Sequence, residues 1–113
     1  MRILIINPNS NADMTRTIAE AAKSFSAGEF EVDCRATPGA PQFIDTYEDQ
    51  ARAAAGMIEL LRENHEAFDA FVVACHCDPN LDLMKEVSLK PVVGIGEASM
   101  KIATMLGDRK SVV

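Results

Sequence analysis

The sequence predicts an α/β fold, a flavodoxin-like parallel sheet with helices on both faces. Three observations carry that prediction. Strand-like and helix-like segments alternate along the whole chain. Two strand segments, residues 3–6 and 71–75, are apolar throughout, as strands buried on both faces are. Polar turn clusters follow both of them, Asn7-Pro8-Asn9-Ser10-Asn11 after the first and residues 76–80 after the second.

Residues 3–6 are a run of Ile and Leu and read as the first strand. Pro8 then removes a backbone donor, and its polar neighbours favour a turn. Ser10, with Asp13 three residues later, marks a helix start, the acid lying in the electropositive first turn. Met14, Ile18, Ala21, Ala22 and Phe25 recur at helical spacing, and Gly28 ends that helix. Phe30, Val32 and Cys34 alternate with Glu31, Asp33 and Arg35, the period of a strand with one wetter face, which places it nearer a sheet edge. Residues 37–46 hold Pro38, Gly39 and Pro41 without periodicity, and a loop of that length is often functional.

The segment from Tyr47 to Asn64 reads as a helix, with Ala51, Ala54, Ala55, Ile58 and Leu61 along one stripe. Residues 71–75 form the next strand, followed by the polar turn and a short helix or turn from Leu81 to Val87. Val92, Val93 and Ile95 form a further strand after Pro91, closed by Gly94 and Gly96. Residues 97–106 are a helix ended by Gly107. Ser111-Val112-Val113 reads as the opening of another strand. The expectation is a single α/β lobe over residues 1–113, cut from a longer protein just as that strand begins.

Composition excludes several classes. With 48% hydrophobic and 25% charged residues the chain has the balance of a globular domain, not of a disordered one. Eleven Lys and Arg against 17 Asp and Glu give a net charge of −6 with no basic run, which argues against nucleic acid and anionic membranes as partners. No apolar run approaches the ~20 residues that span a bilayer. Three Cys is an odd count, and Met1 leads straight into a strand without a secretory pattern, so free thiols in a reducing cytoplasm are expected.

In open parallel sheets ligands bind beyond the carboxyl ends of the strands. The segments Asn7-Pro8-Asn9-Ser10, Cys75-His76-Cys77-Asp78-Pro79 and Gly94-Ile95-Gly96-Glu97 meet that condition. If the first and third strands are neighbours, the first two segments face each other. Cys75 ends an apolar strand just ahead of a helix whose dipole would favour its thiolate; its bland reading is a small buried hydrophobe. His76 is either a general base for that thiol or a polar turn residue. Cys77 makes a Cys-x-Cys pair with Cys75, but this is not zinc spacing, and Cys34 and His65 are poorly placed to complete a site, so no metal is expected. Cys34 reads as packing, and His65 as a solvated cap on an exposed helix face. Asn7 and Asn9 carry amides able to donate to a carboxylate or carbonyl, or else simply build the turn. Gly94-x-Gly96 lacks the third glycine of a dinucleotide fingerprint. Glu97 reads as a first-turn helix acid, and Met57, Met84, Met100 and Met105 as core fillers.

Taken together, these segments resemble a known family. Ile5-Ile6-Asn7-Pro8-Asn9-Ser10 resembles the I-N-P-N-[TS] opening of hydantoin racemases. Ala74-Cys75-His76-Cys77-Asp78-Pro79 resembles their A-C-F-x-D-P segment, and Pro91-Val92-Val93-Gly94-Ile95-Gly96-Glu97-Ala98 their P-V-[VI]-G-I-A-E-A. Ser111-Val112-Val113 resembles the F-S-V-V that begins their next strand. The resemblance implies membership of the hydantoin racemase branch of the aspartate/glutamate racemase superfamily, of which this chain would be the N-terminal lobe. It implies racemisation of hydantoins, allantoin or related amino-acid derivatives, without a cofactor, by two cysteines, one from each lobe. Cys75 falls on the first-lobe catalytic cysteine. Asn9, Ser10, His76, Cys77 and Asp78 fall in the substrate-binding loops. His76 stands where Phe is usual and Cys77 where a small or acidic residue is usual, and the loop Gly39-Ala40-Pro41-Gln42-Phe43-Ile44 is only loosely like the family's G-P-x-S-I-E. The implied partner is a small-molecule substrate, and a lobe with an open cleft face is expected to associate into a homo-oligomer. Two other readings keep the fold: a decarboxylase or isomerase of the same superfamily, and a non-catalytic flavodoxin-like binding domain.

Overall fold

A computed structural model of the chain describes residues 1–107. Its elements run β1 (Arg2–Asn7), α1 (Ala12–Ser26), β2 (Glu31–Ala36), α2 (Tyr47–Asn64), β3 (Ala70–Val73), α3 (Leu81–Val87), β4 (Val92–Gly94) and α4 (Ile95–Leu106). The expected strand at Ser111-Val112-Val113 lies outside the described residues.

All pairings are parallel, and the sheet order is β2-β1-β3-β4. β1 is central, with Ile5 in register with Cys34 on one side and Val72 on the other. The apolar run at residues 3–6 is explained by that position, since neither face nor edge of β1 meets water. β2 lies at the sheet edge, as its alternating pattern predicted. The chain grows from β1 to β2, then crosses back to β3 on the other side of β1. The switch point of the sheet therefore falls between β1 and β3.

One face of the sheet carries the core. Leu4, Ile6, Phe71, Val73 and Val92 pack there against Ala53, Met57, Leu60 and Leu61 of α2 and Leu81 and Met84 of α3. α2 starts in a capping box: Thr46 Oγ1 accepts from Asp49 N, and the Asp49 carboxylate accepts from Thr46 N. The other face meets α1 and α4 and is thinner. There α1 turns Thr15, Ile18, Ala19 and Ala22 inward and buries Ser26, whereas Phe25 is 83% exposed and Met14 lies off that stripe, partly exposed.

Several expectations are corrected. The inward stripe of α1 is rotated from the one the apolar residues suggested, because small side chains let the helix lie close to β2. In α2 the buried line is Ala53, Met57, Leu60, Leu61 and Asn64, and Ala51 and Ala55 face water. α1 begins one residue later than expected: Asn11, not Ser10, is the N-cap, and its Oδ1 accepts from Met14 N at 2.9 Å. Ser10 instead ties its backbone N–H to Pro41 O. Ile95 opens α4 and does not extend β4. Met57 and Met84 are buried, but Met100 and Met105 lie on the outer face of α4, where no described element covers them. His65 is the C-cap of α2, as expected, but its side chain is not solvated: it is half-buried, its Nε2 accepts from Leu89 N at 3.2 Å, and its ring stacks on Phe71.

Candidate functional site

β1 and β3 end at the switch point, and the loops that follow them form the two banks of a cleft. Its volume is about 340 Å³ and its walls are mostly apolar. Pro8, Asn9 and Met14 come from the first bank, Ala74, Cys75 and His76 from the second, and Phe43, Ile44 and Asp45 from the long loop before α2. Ile95 of α4 also lines it. The loop at residues 37–46 thus lines the site, as its length suggested.

The first bank is built by asparagines. Asn7 is 1% exposed, and its Nδ2 donates to Asn9 Oδ1 at 2.8 Å and to Thr15 Oγ1 at 2.9 Å. Its carbonyl accepts from Thr37 Oγ1 at 2.7 Å. Asn9 Oδ1 also accepts from Asn11 N at 2.9 Å, so two donors fix which end of the Asn9 amide is oxygen. Its Nδ2 is left facing Met14, whose sulfur at 3.6 Å is a weak acceptor. A strong donor is thereby held at the cleft with its capacity largely unused. Asn7 is scaffold, and Asn9 is scaffold that also lines the cleft.

The second bank is a tight turn. Ala74 N–H donates to Ile6 O at 3.0 Å, continuing the sheet for one residue beyond β3. Asp78 N–H then donates to Cys75 O at 2.9 Å and closes the turn. Asp78 and Asn80 sit at φ 48° and 60° around the buried Pro79. Such left-handed conformations at non-glycine residues cluster at functional loops. The Asp78 carboxylate accepts from Gly96 N at 2.9 Å and Glu97 N at 2.8 Å. Glu97 in turn holds Lys85 of α3 at 3.0 and 3.1 Å, and that contact keeps its carboxyl below the usual range.

This turn places Cys75 half-buried at the cleft and Cys77 exposed beside it, with their sulfurs 3.4 Å apart. Burial, then the hydrogen bond with Cys75, pushes the Cys77 thiol up from its ordinary value. Of the residues expected in the site, Asn9, Cys75 and His76 line the cleft, and His76 is solvent-exposed. Ser10, Cys77 and Asp78 do not line it. Asp78 spends its N–H on the turn and its carboxylate on α4. Met14, Phe43, Ile44, Asp45 and Ile95 line the cleft without having been singled out for it. The only sequence signal for the middle three was loop length. Among the described residues no group of three His, Cys, Asp or Glu side chains converges as a metal site would, and no helix is long and apolar enough to cross a membrane.

The Asp/Glu/Hydantoin racemase family model matches residues 3–113. The chain belongs to this family. It is 41% identical over 114 residues to a hydantoin racemase of Pseudomonas sp. (strain NS671), covering all of this chain and 46% of that protein. It is 36% identical over 115 residues to a hydantoin racemase of Paenarthrobacter aurescens, of which it covers 49%. An allantoin racemase from Klebsiella pneumoniae superposes with a TM-score of 0.87 at 38% identity, over 93% of this chain and 43% of that one. The chain thus spans about half the length of the racemases it matches. Within this racemase family fold, the switch-point cleft and its cysteine stand at the ends of β1 and β3.

Proposed function

We propose that this chain is one lobe of a cofactor-independent racemase of hydantoins or related amino-acid derivatives, in which Cys75 is one of two acid/base thiols. The observation that carries the reading is the position of Cys75 at the cleft, opposite the Asn9 donor, in a chain half as long as its racemase relatives.

Inverting a carbon centre requires a proton to leave one face and return to the other. A thiolate is a suitable base and a thiol on the opposite face a suitable acid. A hydantoin carbonyl acidifies the adjacent C–H, and the charge then develops on the carbonyl oxygen. Asn9 Nδ2, a preorganised donor in an apolar cleft, is suited to that oxygen. Cys77 does not serve as the second thiol. Sulfurs 3.4 Å apart on one turn lie on the same side of any bound ring and leave no room for a carbon between them. The opposing thiol is assigned to polypeptide outside this chain, so the 113 residues alone should show negligible turnover.

The test is Cys75→Ser in the full-length protein, with loss of optical rotation of a 5-substituted hydantoin as the readout. Turnover should be abolished while the fold, by circular dichroism, is kept. Unchanged turnover would put the chemistry elsewhere, and robust racemisation by residues 1–113 alone would overturn the two-lobe assignment.

A further inference from the structure

We propose that Cys75 and Cys77 form a site of reversible oxidation, an intraloop disulfide that withdraws the cleft thiol from chemistry and protects it from further oxidation. The placement of the two sulfurs is the basis. They lie 3.4 Å apart and need to close to about 2.05 Å to bond. The turn that holds them is anchored at both ends, by Ala74 N–H on Ile6 O and by Asp78 on Cys75 O and α4. The pair is therefore held together by a turn that β1 and α4 fix in place. Cys77 is exposed and Cys75 half-buried, so a small oxidant reaches both. Cys34 is no competitor: it is buried within the edge strand β2, in register with Ile5 of β1. In racemisation as proposed above Cys77 has no proton to carry, which leaves its position beside Cys75 unaccounted for by that function.

The oxidant class is a peroxide. One sulfur, as thiolate, attacks a peroxide oxygen; the O–O bond breaks, hydroxide leaves and a sulfenic acid forms. The second sulfur displaces the sulfenic oxygen, which departs as water, and the S–S bond forms. Two thiols lose two electrons and two protons, and one hydrogen peroxide becomes two waters. A dithiol reductant reverses the step by exchange. The consequence for turnover rests on the catalytic role of Cys75 proposed above; the disulfide itself does not.

The experiment treats the full-length protein with hydrogen peroxide at neutral pH, alkylates it in denaturant with iodoacetamide, and maps the tryptic peptide of residues 63–85. That peptide should be recovered lacking two hydrogens and unalkylated at both cysteines, and dithiothreitol should return both thiols and the lost racemisation together. A Cys77→Ser variant, compared with its own untreated activity, should lose turnover irreversibly as Cys75 proceeds to sulfinic acid. A wild-type peptide whose Cys75 reaches sulfinic acid as fast as in Cys77→Ser, or whose two cysteines both remain alkylatable, overturns the proposal. A disulfide that forms while turnover persists supports the dithiol site and removes Cys75 from the catalytic role.

Discussion

The Asp78 carboxylate caps α4 across a separation of 18 residues, with Oδ1 on Gly96 N at 2.9 Å and Oδ2 on Glu97 N at 2.8 Å. α4 has no side-chain cap from its own N-cap residue, Gly94. The acid that neutralises its N-terminal dipole comes from the turn that carries Cys75. The second bank of the cleft and the start of α4 are therefore tied together through this one carboxylate.

Asp78→Ala removes both of these charge-assisted bonds. Losing an N-cap costs about 0.5–2 kcal/mol, and hydrogen bonds to a charged group about 1.5–3 kcal/mol each. Urea unfolding of the full-length protein should show a loss of about 2–3 kcal/mol, where the upper end for a lost cap meets the lower end for two such bonds, with Asp78→Asn, which keeps one acceptor oxygen, falling between wild type and Asp78→Ala. An Asp78→Ala midpoint equal to wild type would mean the cap does not stabilise the fold.

Asn9→Asp keeps the oxygen that Asn7 and Asn11 bind and replaces the Nδ2 donor with a second acceptor. If Asn9 stabilises the developing oxyanion, kcat should fall by about 10²–10³, the cost of removing one such donor elsewhere. Asn7→Ala acts differently: it strips buried partners from Asn9 and Thr15 and should cost about 1–3 kcal/mol of stability. Steady-state racemisation and urea midpoints on the two variants separate the roles. A kcat for Asn9→Asp close to wild type would remove Asn9 from the chemistry.

The fold was legible because the burial of each strand writes itself into its pattern. The all-apolar run at residues 3–6 marked the central strand, and the alternation at residues 30–35 marked the edge. The site was legible as far as backbone topology places it, which is why Asn9, Cys75 and His76 meet at the cleft. What could not be read was side-chain direction within a turn. Nothing local to Asp78 says that its carboxylate is used 18 residues away, or that Cys77 faces water beside Cys75. Helix faces failed for a related reason. Periodicity gives a stripe, but Phe25 and Met105 are apolar on faces that no described element covers.

Gly94→Ala tests how tightly the cysteine turn packs on β4. An added Cβ would press on the Asp78 carboxylate and lie 2.9 Å from Leu81 Cδ2. Overpacking of this kind costs about 1–3 kcal/mol. Because Asp78 is the obstacle, Asp78→Ala in the same molecule should relieve part of that cost, so the double variant should be more stable than the sum of the two single losses predicts. Strict additivity in urea unfolding would show that Gly94 and Asp78 are not coupled.

Cys34 predicts an alkaline weakness. Burial first, then the neighbouring Asp33 carboxylate, pushes its thiol from 9.0 up to about 11. The folded state therefore holds the Cys34 proton more tightly than the unfolded chain does. Below pH 9.0 both states are protonated and the contribution is intact; as the pH rises toward about 11 the unfolded state ionises first and gains, so stability falls across that window. One pKa unit corresponds to about 1.4 kcal/mol, and solvent screening at an edge strand reduces the two-unit interval to a loss of the order of 1 kcal/mol. Cys34→Val keeps an apolar side chain and removes the titration. Its urea midpoint should fall less than that of wild type between pH 8.5 and 11.5, and parallel pH profiles would show that the thiol is not the group responsible.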